Sequence, residues 1–358
     1  MEKSIYELIC NNINDGVLKD GFSLPEEVDP ASVRFAPGAL DGIRIYHMGH
    51  SKPDADGMMQ MEEAVRCAAG DNRQEAEALF AESTKMNRAI SVIDELQNFV
   101  MAHSEELDAN HVFNTALFMV LHSHHTECVK LGLELLELFR ITEESIKGVI
   151  RRLGLYDEFT IFAVWNMREW DNSNEEVFGL AKNVHGWGRI HAIERLRPET
   201  AEIRYWLLTE GTVNNVANAY SALSCWRKSG AEEVLSGNPS AEEYQGLSTL
   251  IAGLLDEGPV TGVSALDNAE EILRRFIEIS PEYDLSIDSY ETILSIYIWA
   301  EEKGGSASSI SAAAGRIIHS RVCTDAVQEA LKNGEGIWLA QQLNIPVDPA
   351  LLDRFRNM

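Results

Sequence analysis

Between Phe159 and Gly230, three helix-sized blocks follow one another with similar apolar spacing and Gly or Pro breaks between them. They read FAVWNMREW…EEVFGLA, RIHAIERL…EIRYWLL and VANAYSALSCW…EEVLSG. Aligning Ala163, Ala192 and Ala219 gives steps of 29 and 27 residues and brings Met167, Leu196 and Leu223 into register. In the second helix of each block, Val177 and Leu180 correspond to Ile203 and Trp206. A pair of short helices cannot bury its apolar face alone, so such units must stack on their neighbours. Stacked arrays of this kind mostly bind rather than catalyse.

The flanking sequence agrees with helix-on-helix packing. Ile5, Leu8, Ile9 and Ile13 share one face of a first amphipathic helix over residues 3–15. Helical spacing then dominates from Pro53 to the end, and no βαβ alternation occurs. The segment VKLGLELLELF is apolar around most of its circumference, which places it at the centre of a core. Ser173 with Glu176 and Ser240 with Glu243 have the spacing of capping boxes, and Gly186 and Gly211 suit helix ends. Between Gly21 and Pro53, four prolines interrupt the pattern. There Val33-Arg34-Phe35 and Ile43-Arg44-Ile45-Tyr46 alternate around PGALDG, as a short N-terminal β-hairpin would, with an ordered loop as the competing reading. The expected class is all-α. Residues 1–53 form a helix and a Pro/Gly-rich cap segment, and 54–358 a helical array, with a subdivision near 238 left open.

The A-x-x-x-L first helices and I/V-x-x-L/W second helices of 159–238 resemble those of HEAT and armadillo repeat proteins. The resemblance implies an α-α superhelix of antiparallel helix pairs, with one helix of each pair lining a concave groove. Some HEAT-like proteins are DNA-base glycosylases that use Trp and Arg with a carboxylate on that face. That alternative is disfavoured by charge: 30 Lys+Arg stand against 57 Asp+Glu, a formal net charge of -27. Such a field opposes phosphate neutralisation and adsorption to anionic membranes.

Five dispersed cysteines with no CxxC pair give neither a disulfide framework nor a thiolate metal site, and fit a reducing compartment. The N-terminus has no apolar core of signal-peptide type, and no apolar run reaches membrane-spanning length. A cytoplasmic location is therefore expected.

Chemistry could sit in two places. LHSHHTEC puts His122 and His125 at helical i, i+3 spacing beside Glu127 and Cys128, a weak metal-ligand pattern; His47 and His50 form a weaker pair. A helix–helix corner, where polar histidines are common, is the favoured reading of the cluster. HGWGRIHAIERLR gathers Trp187, Arg189 and His191, with glycines flanking the tryptophan, so that backbone amides at a helix start could face a ligand. Buried packing is the competing explanation. Trp165, Trp170, Trp187, Trp206 and Trp226 all fall in this region. No Walker loop, GxGxxG, GxSxG or haem motif is present.

These readings converge on a binding or scaffold protein. Its expected groove holds Trp165, Trp187, Arg189, His191, Trp206 and Trp226. A protein or peptide partner is expected, a small molecule is an alternative, and nucleic acid and membrane are not expected. No cofactor is expected. The competing function is a metal-dependent or small-molecule-modifying enzyme using His122 and His125.

Overall fold

The computed structural model describes residues 3–25, 34–49, 52–349 and 351. The protein is all-α, with a two-stranded antiparallel hairpin near the N-terminus, and neighbouring helices pack in pairs. No helix among the described residues is long and apolar enough to cross a membrane. The chain forms two compact units, Met1–Leu196 and Arg197–Met358.

The first unit opens with α1 (Ile5–Cys10), whose Ser4 and Glu7 make a reciprocal capping box. The hairpin follows at once: β1 (Ile13–Asn14) pairs with β2 (Val17–Leu18) around Asp15 and Gly16, both at positive φ. It lies upstream of the segment where alternation suggested one. Val33 is outside the described residues, and Ile43–Tyr46 is helical, divided between α2 (Ala39–Ile43) and a π-turn (Arg44–Met48). There Gly38 and Gly42 let the segment lie directly on Trp187, while Leu40, Ile45 and Met48 stay exposed. A Cβ at Gly42 would fall 2.1 Å from the indole ring.

Next come α3 (Ala55–Ala69), α4 (Arg73–Ser83), a 3₁₀ turn (Ala89–Ser91) and α5 (Ile93–Ala102). They are followed by α6 (Ala109–His122), α7 (Thr126–Leu136) and α8 (Glu144–Gly154). Helix α7 is the centre of the unit: every residue from Cys128 to Leu136 is buried. Gly132 permits this, since a Cβ there would stand 2.9 Å from the Ala116 carbonyl of α6. The unit closes with α9 (Thr160–Met167), α10 (Ser173–Asn183) and α11 (Trp187–Arg195).

The second unit contains α12 (Ala201–Trp206), a π-turn (Leu207–Gly211), α13 (Ala219–Ser229), α14 (Ala231–Ser236) and α15 (Ala241–Leu255). It continues through α16 (Ala269–Ile279), α17 (Ile287–Lys303), α18 (Ser308–Ile318), α19 (Arg321–Leu331) and α20 (Ile337–Gln342). Its core includes Tyr244, stacked between Phe276 and Tyr283 at 5.0 and 4.2 Å, with its hydroxyl donating to Ser280.

The three sequence blocks fold as the six helices α9 to α14, in which α9 packs on α10 and α13 on α14, and the aligned Ala163, Ala192 and Ala219 are all buried. The division between units falls inside the second block, between α11 and α12. Ser240 and Glu243 form the expected capping box on α15. Ser173 does not cap α10. It is the first helical residue, and Glu176 is instead held by both guanidinium arms of Arg151 at 2.7 Å. Gly186 precedes α11 rather than ending a helix.

Candidate functional site

The Trp187 region is built from the inside. Asp157, in the turn between α8 and α9, accepts hydrogen bonds from the amides of Gly186 (3.0 Å) and Gly188 (2.7 Å). The start of α11 is therefore already capped by a carboxylate, and its amides do not face a ligand. Burial pushes the Asp157 carboxyl above its usual value, while those two amides pull it down. Trp187 is buried under the Gly38–Gly42 turn, and a Cβ on Gly188 would meet the Thr160 hydroxyl at 2.3 Å. The glycines flanking the tryptophan serve close packing.

Arg189 is also buried. It donates to the carbonyls of Val184 (2.8 Å) and Lys182 (3.4 Å), closing the end of α10. In the second unit Trp206 and Trp226 are buried in the core. The expected groove thus loses Trp187, Arg189, Trp206 and Trp226 as surface anchors. An indole offers more apolar area than any other side chain, and here that area goes into the core.

Trp165 and His191 remain, and the structure brings them together. Both line a cleft of about 850 Å³ in the first unit, within the range of ligand pockets. Ile161 and Trp165 come from α9, Tyr46 from the π-turn, Ile90 from the 3₁₀ turn and Ile93 from the start of α5. His191 stands one helical turn before Arg195 on α11, so both reach the same cleft. Its ring is stacked with Tyr46 and Trp187, each at 6.2 Å. His191 is 5% exposed, and its Nε2 has no hydrogen-bond partner. Burial, with Arg195 adding to it, pushes its pKa down to about 4, so the imidazole is neutral near pH 7. A buried ring nitrogen without a partner is costly, and Nε2 itself is shielded from solvent although the residue lines the cleft.

A second cleft in the same unit, of about 750 Å³, lies between α8 and α10 and has Leu155, Met167 and Leu180 on its walls. Its principal charges, Arg151 and Glu176, already pair with each other, and it contains no buried polar atom lacking a partner.

Behind the Tyr46 wall lies an ionic cluster. Lys130 on α7 is fully buried and donates to Asp41 Oδ2 (2.6 Å), Glu127 Oε1 (3.0 Å) and Glu158 Oε1 (2.5 Å). Arg88 donates to Asp41 Oδ1 (3.2 Å) and Glu127 Oε1 (2.9 Å), and the Ala89 amide donates to Glu127 Oε2 (2.8 Å). Burial disfavours the Lys130 ammonium, but the three carboxylates outweigh it and push its pKa up. Burial likewise raises the Glu127 carboxyl, yet Lys130 and Arg88 hold it below its usual value. Asp41 is raised: burial exceeds the pull of Lys130, and Glu127 and Glu158 add to it. Because Asp41 and Gly38 bind this cluster, the segment carrying Tyr46 is tied to α7 and Glu158.

The cluster was not among the residues singled out from sequence, although a signal existed. Lys130 and Glu134 interrupt a helix otherwise apolar all round, and charges on a helix buried on every side need partners. Lys130 has them. Both oxygens of Glu134 lack one, and burial, with Glu127 and Asp41 adding to it, pushes its carboxyl well above the usual range.

The histidines of the 122–125 cluster lie on different elements. Ser123 ends α6 and His125 precedes α7, so His122 and His125 are not on one helical face. Both are exposed, and His122 packs against Phe118 at 5.2 Å. Among the described residues, no group of three or more His, Cys, Asp or Glu side chains is placed to hold a metal. His47 is exposed; His50 lies outside the described residues.

No family model matches the chain, and comparisons with curated proteins and with solved structures also gave no match.

Proposed function

We propose that this is a binding protein whose cleft in the first unit, bounded by Tyr46, Ile161, Trp165 and His191, receives a segment of a partner protein. The observation that carries the proposal is the buried His191 imidazole, whose Nε2 has no partner inside the fold and which lines an aromatic-walled cleft. The rest of the fold hydrogen-bonds most of its buried polar groups, so an unpartnered nitrogen at a ligand-sized opening supports an external partner. A half-buried Trp165 supplies the apolar anchor that peptide recognition commonly uses. The packed helix pairs support the HEAT-like reading of the fold, in which binding surfaces are typical.

The test uses a library of random peptides displayed on phage and panned against the full chain. Enriched clones should bind the wild type and lose most of their affinity for Trp165→Ala and His191→Leu. Circular dichroism of both variants should match the wild type. Enrichment of clones indifferent to both substitutions would remove this cleft from consideration.

A further inference from the structure

His191 lines the cleft, yet its Nε2 is sealed from solvent and has no partner, so a bound group reaches that nitrogen only if a neighbour moves. The rings of Tyr46, Trp187 and His191 form a cluster, with centroids 6.0 to 6.2 Å apart. Trp187 is buried and lies against Gly42, where a Cβ would fall 2.1 Å from the indole. Tyr46 alone of the three is half-buried, and it stands on a segment whose two halves are held differently. Helix α2 is fixed: the Gly38 amide donates to Glu158, Asp41 accepts from Lys130 and Arg88, and Ala39, Asp41 and Gly42 are buried. The π-turn that continues it, Arg44–Met48, contributes no buried residue, and Ile45 and Met48 are 43% and 65% exposed. Gly49 follows at a φ of 64°, with no atom within 4 Å of where a Cβ would stand. Arg44, Ile45, Tyr46 and Gly49 all line the cleft. A segment with few buried groups opens at a lower cost than the core it rests on, and a left-handed glycine at its end can absorb the backbone change.

We propose that the π-turn Arg44–Met48 is a lid on His191, anchored through α2 and hinged at Gly49, and that a peptide ligand binds by hydrogen-bonding Nε2 when the lid swings away. This rests on the proposed binding function and adds the movement that the site requires. The closed state keeps the contacts among the three rings, and the open state lets Nε2 find a partner. The ion ties of Asp41 lie before the turn and stay intact in both states. The apparent affinity for a ligand is then its affinity for the open state reduced by the fraction of molecules that are open.

Diethyl pyrocarbonate, which acylates neutral imidazole, reads the opening in the full chain without any ligand. Burial keeps the His191 ring neutral at pH 7, and its labelling is followed by mass spectrometry beside that of the exposed His122, His124 and His125. His191 should react about tenfold or more slowly than those three, at a rate that low urea concentrations leave unchanged, because a local opening exposes little surface. Gly49→Ala strains the closed turn and leaves every ring in place, so it should raise the His191 rate by about tenfold and leave the other three unchanged. Tyr46→Ala should raise the His191 rate as well. Labelling of His191 only as fast as the whole chain unfolds, or a rate that either substitution leaves unchanged, would overturn the lid. Peptides selected in the panning should bind Gly49→Ala more tightly than the wild type, by the same factor as the labelling rate rises, since both follow the open fraction. Selected peptides that need Trp165 and His191 but bind Gly49→Ala no more tightly would overturn the lid and leave the cleft standing. Peptides indifferent to Trp165 and His191 would overturn both the binding reading and the lid's part in it.

Discussion

The Lys130 cluster and the Trp165 cleft share one short segment, which gives Asp41 to the first and Tyr46 to the second, and they treat charge in opposite ways. In the cluster, two cations and three carboxylates lie within hydrogen-bond distance of one another and are largely removed from water. At the cleft, Lys52, Arg195, Asp94 and Glu95 are exposed and form no ion pair among the described residues, and the buried His191 ring is neutral, its Nε2 without a hydrogen-bond partner. Burial decides the difference. An ion inside the fold must find its counter-ion there, whereas a solvated ion has water as an alternative and can exchange it for a ligand. Internal pairing holds the wall, and the groups at the cleft stay unpaired.

The strongest way to break this contrast is at Lys130. Replacement by Met leaves Asp41, Glu127 and Glu158 facing one another with only Arg88 between them, and should cost about 3–5 kcal/mol in urea-induced unfolding. A change below about 1 kcal/mol would show that the carboxylates simply take up protons or water, and the cluster would no longer differ from the surface.

His191 gives the next largest effect, and it depends on pH. Its folded pKa is about 4, below the unfolded value near 6.5, so the folded state resists protonation. The stability associated with the neutral ring is fully present above the unfolded value and declines as pH falls through 6.5 toward 4, by about 3 kcal/mol in all. His191→Leu should remove that decline, so the variant gains on the wild type over this window when the two are unfolded in parallel at each pH. Parallel curves would mean that the ring titrates normally and is not buried in solution.

Glu134 sharpens the comparison from the cluster side, since it is a buried acid without a counter-ion. Its folded pKa is raised, so the stability it contributes is present below the unfolded value near 4.3 and is lost as pH rises through the folded value. Glu134→Leu should therefore stabilise the protein by about 1–3 kcal/mol at neutral pH, with the gain shrinking on acidification. Thermal unfolding at pH 5 and pH 8 measures both parts. A destabilised variant would show that Glu134 has a counter-ion in solution.

The smallest effect on stability belongs to the cleft charges. Asp94→Lys and Arg195→Glu should each cost only about 1 kcal/mol, the helix-dipole contribution of a charge in a first or last turn, because both side chains are exposed and unpaired. A larger loss from either would mean that it pairs within the fold and is not free to meet a ligand.

Much of the fold was legible because it depends on short-range periodicity. The capping box at Ser240, the all-round apolar α7 and the six helices of 159–236 all follow from local spacing. The hairpin was displaced because β-like alternation at Ile43–Tyr46 competes with glycines that let a helical turn lie against Trp187, and only the tertiary contact favours the helix. At the site, sequence proximity grouped Trp187, Arg189 and His191, whereas packing separates them. Successive positions on a helix point in different directions, so Arg189 turns back to the carbonyls ending α10 while His191 reaches the cleft.

The sequence by itself determined that this chain is helical, paired in its middle and strongly acidic, because helix periodicity and net charge are properties of neighbouring residues and of sums. The tertiary structure decided which charges are satisfied. Asp41, Arg88, Lys130 and Glu158 are far apart in sequence and meet only when α2, α7 and the turn before α9 come together. The same closure puts Tyr46 over His191 and leaves its Nε2 unpartnered. Whether a polar group finds a partner depends on distances of a few ångströms between elements remote in sequence, and spacing along one helix does not encode them.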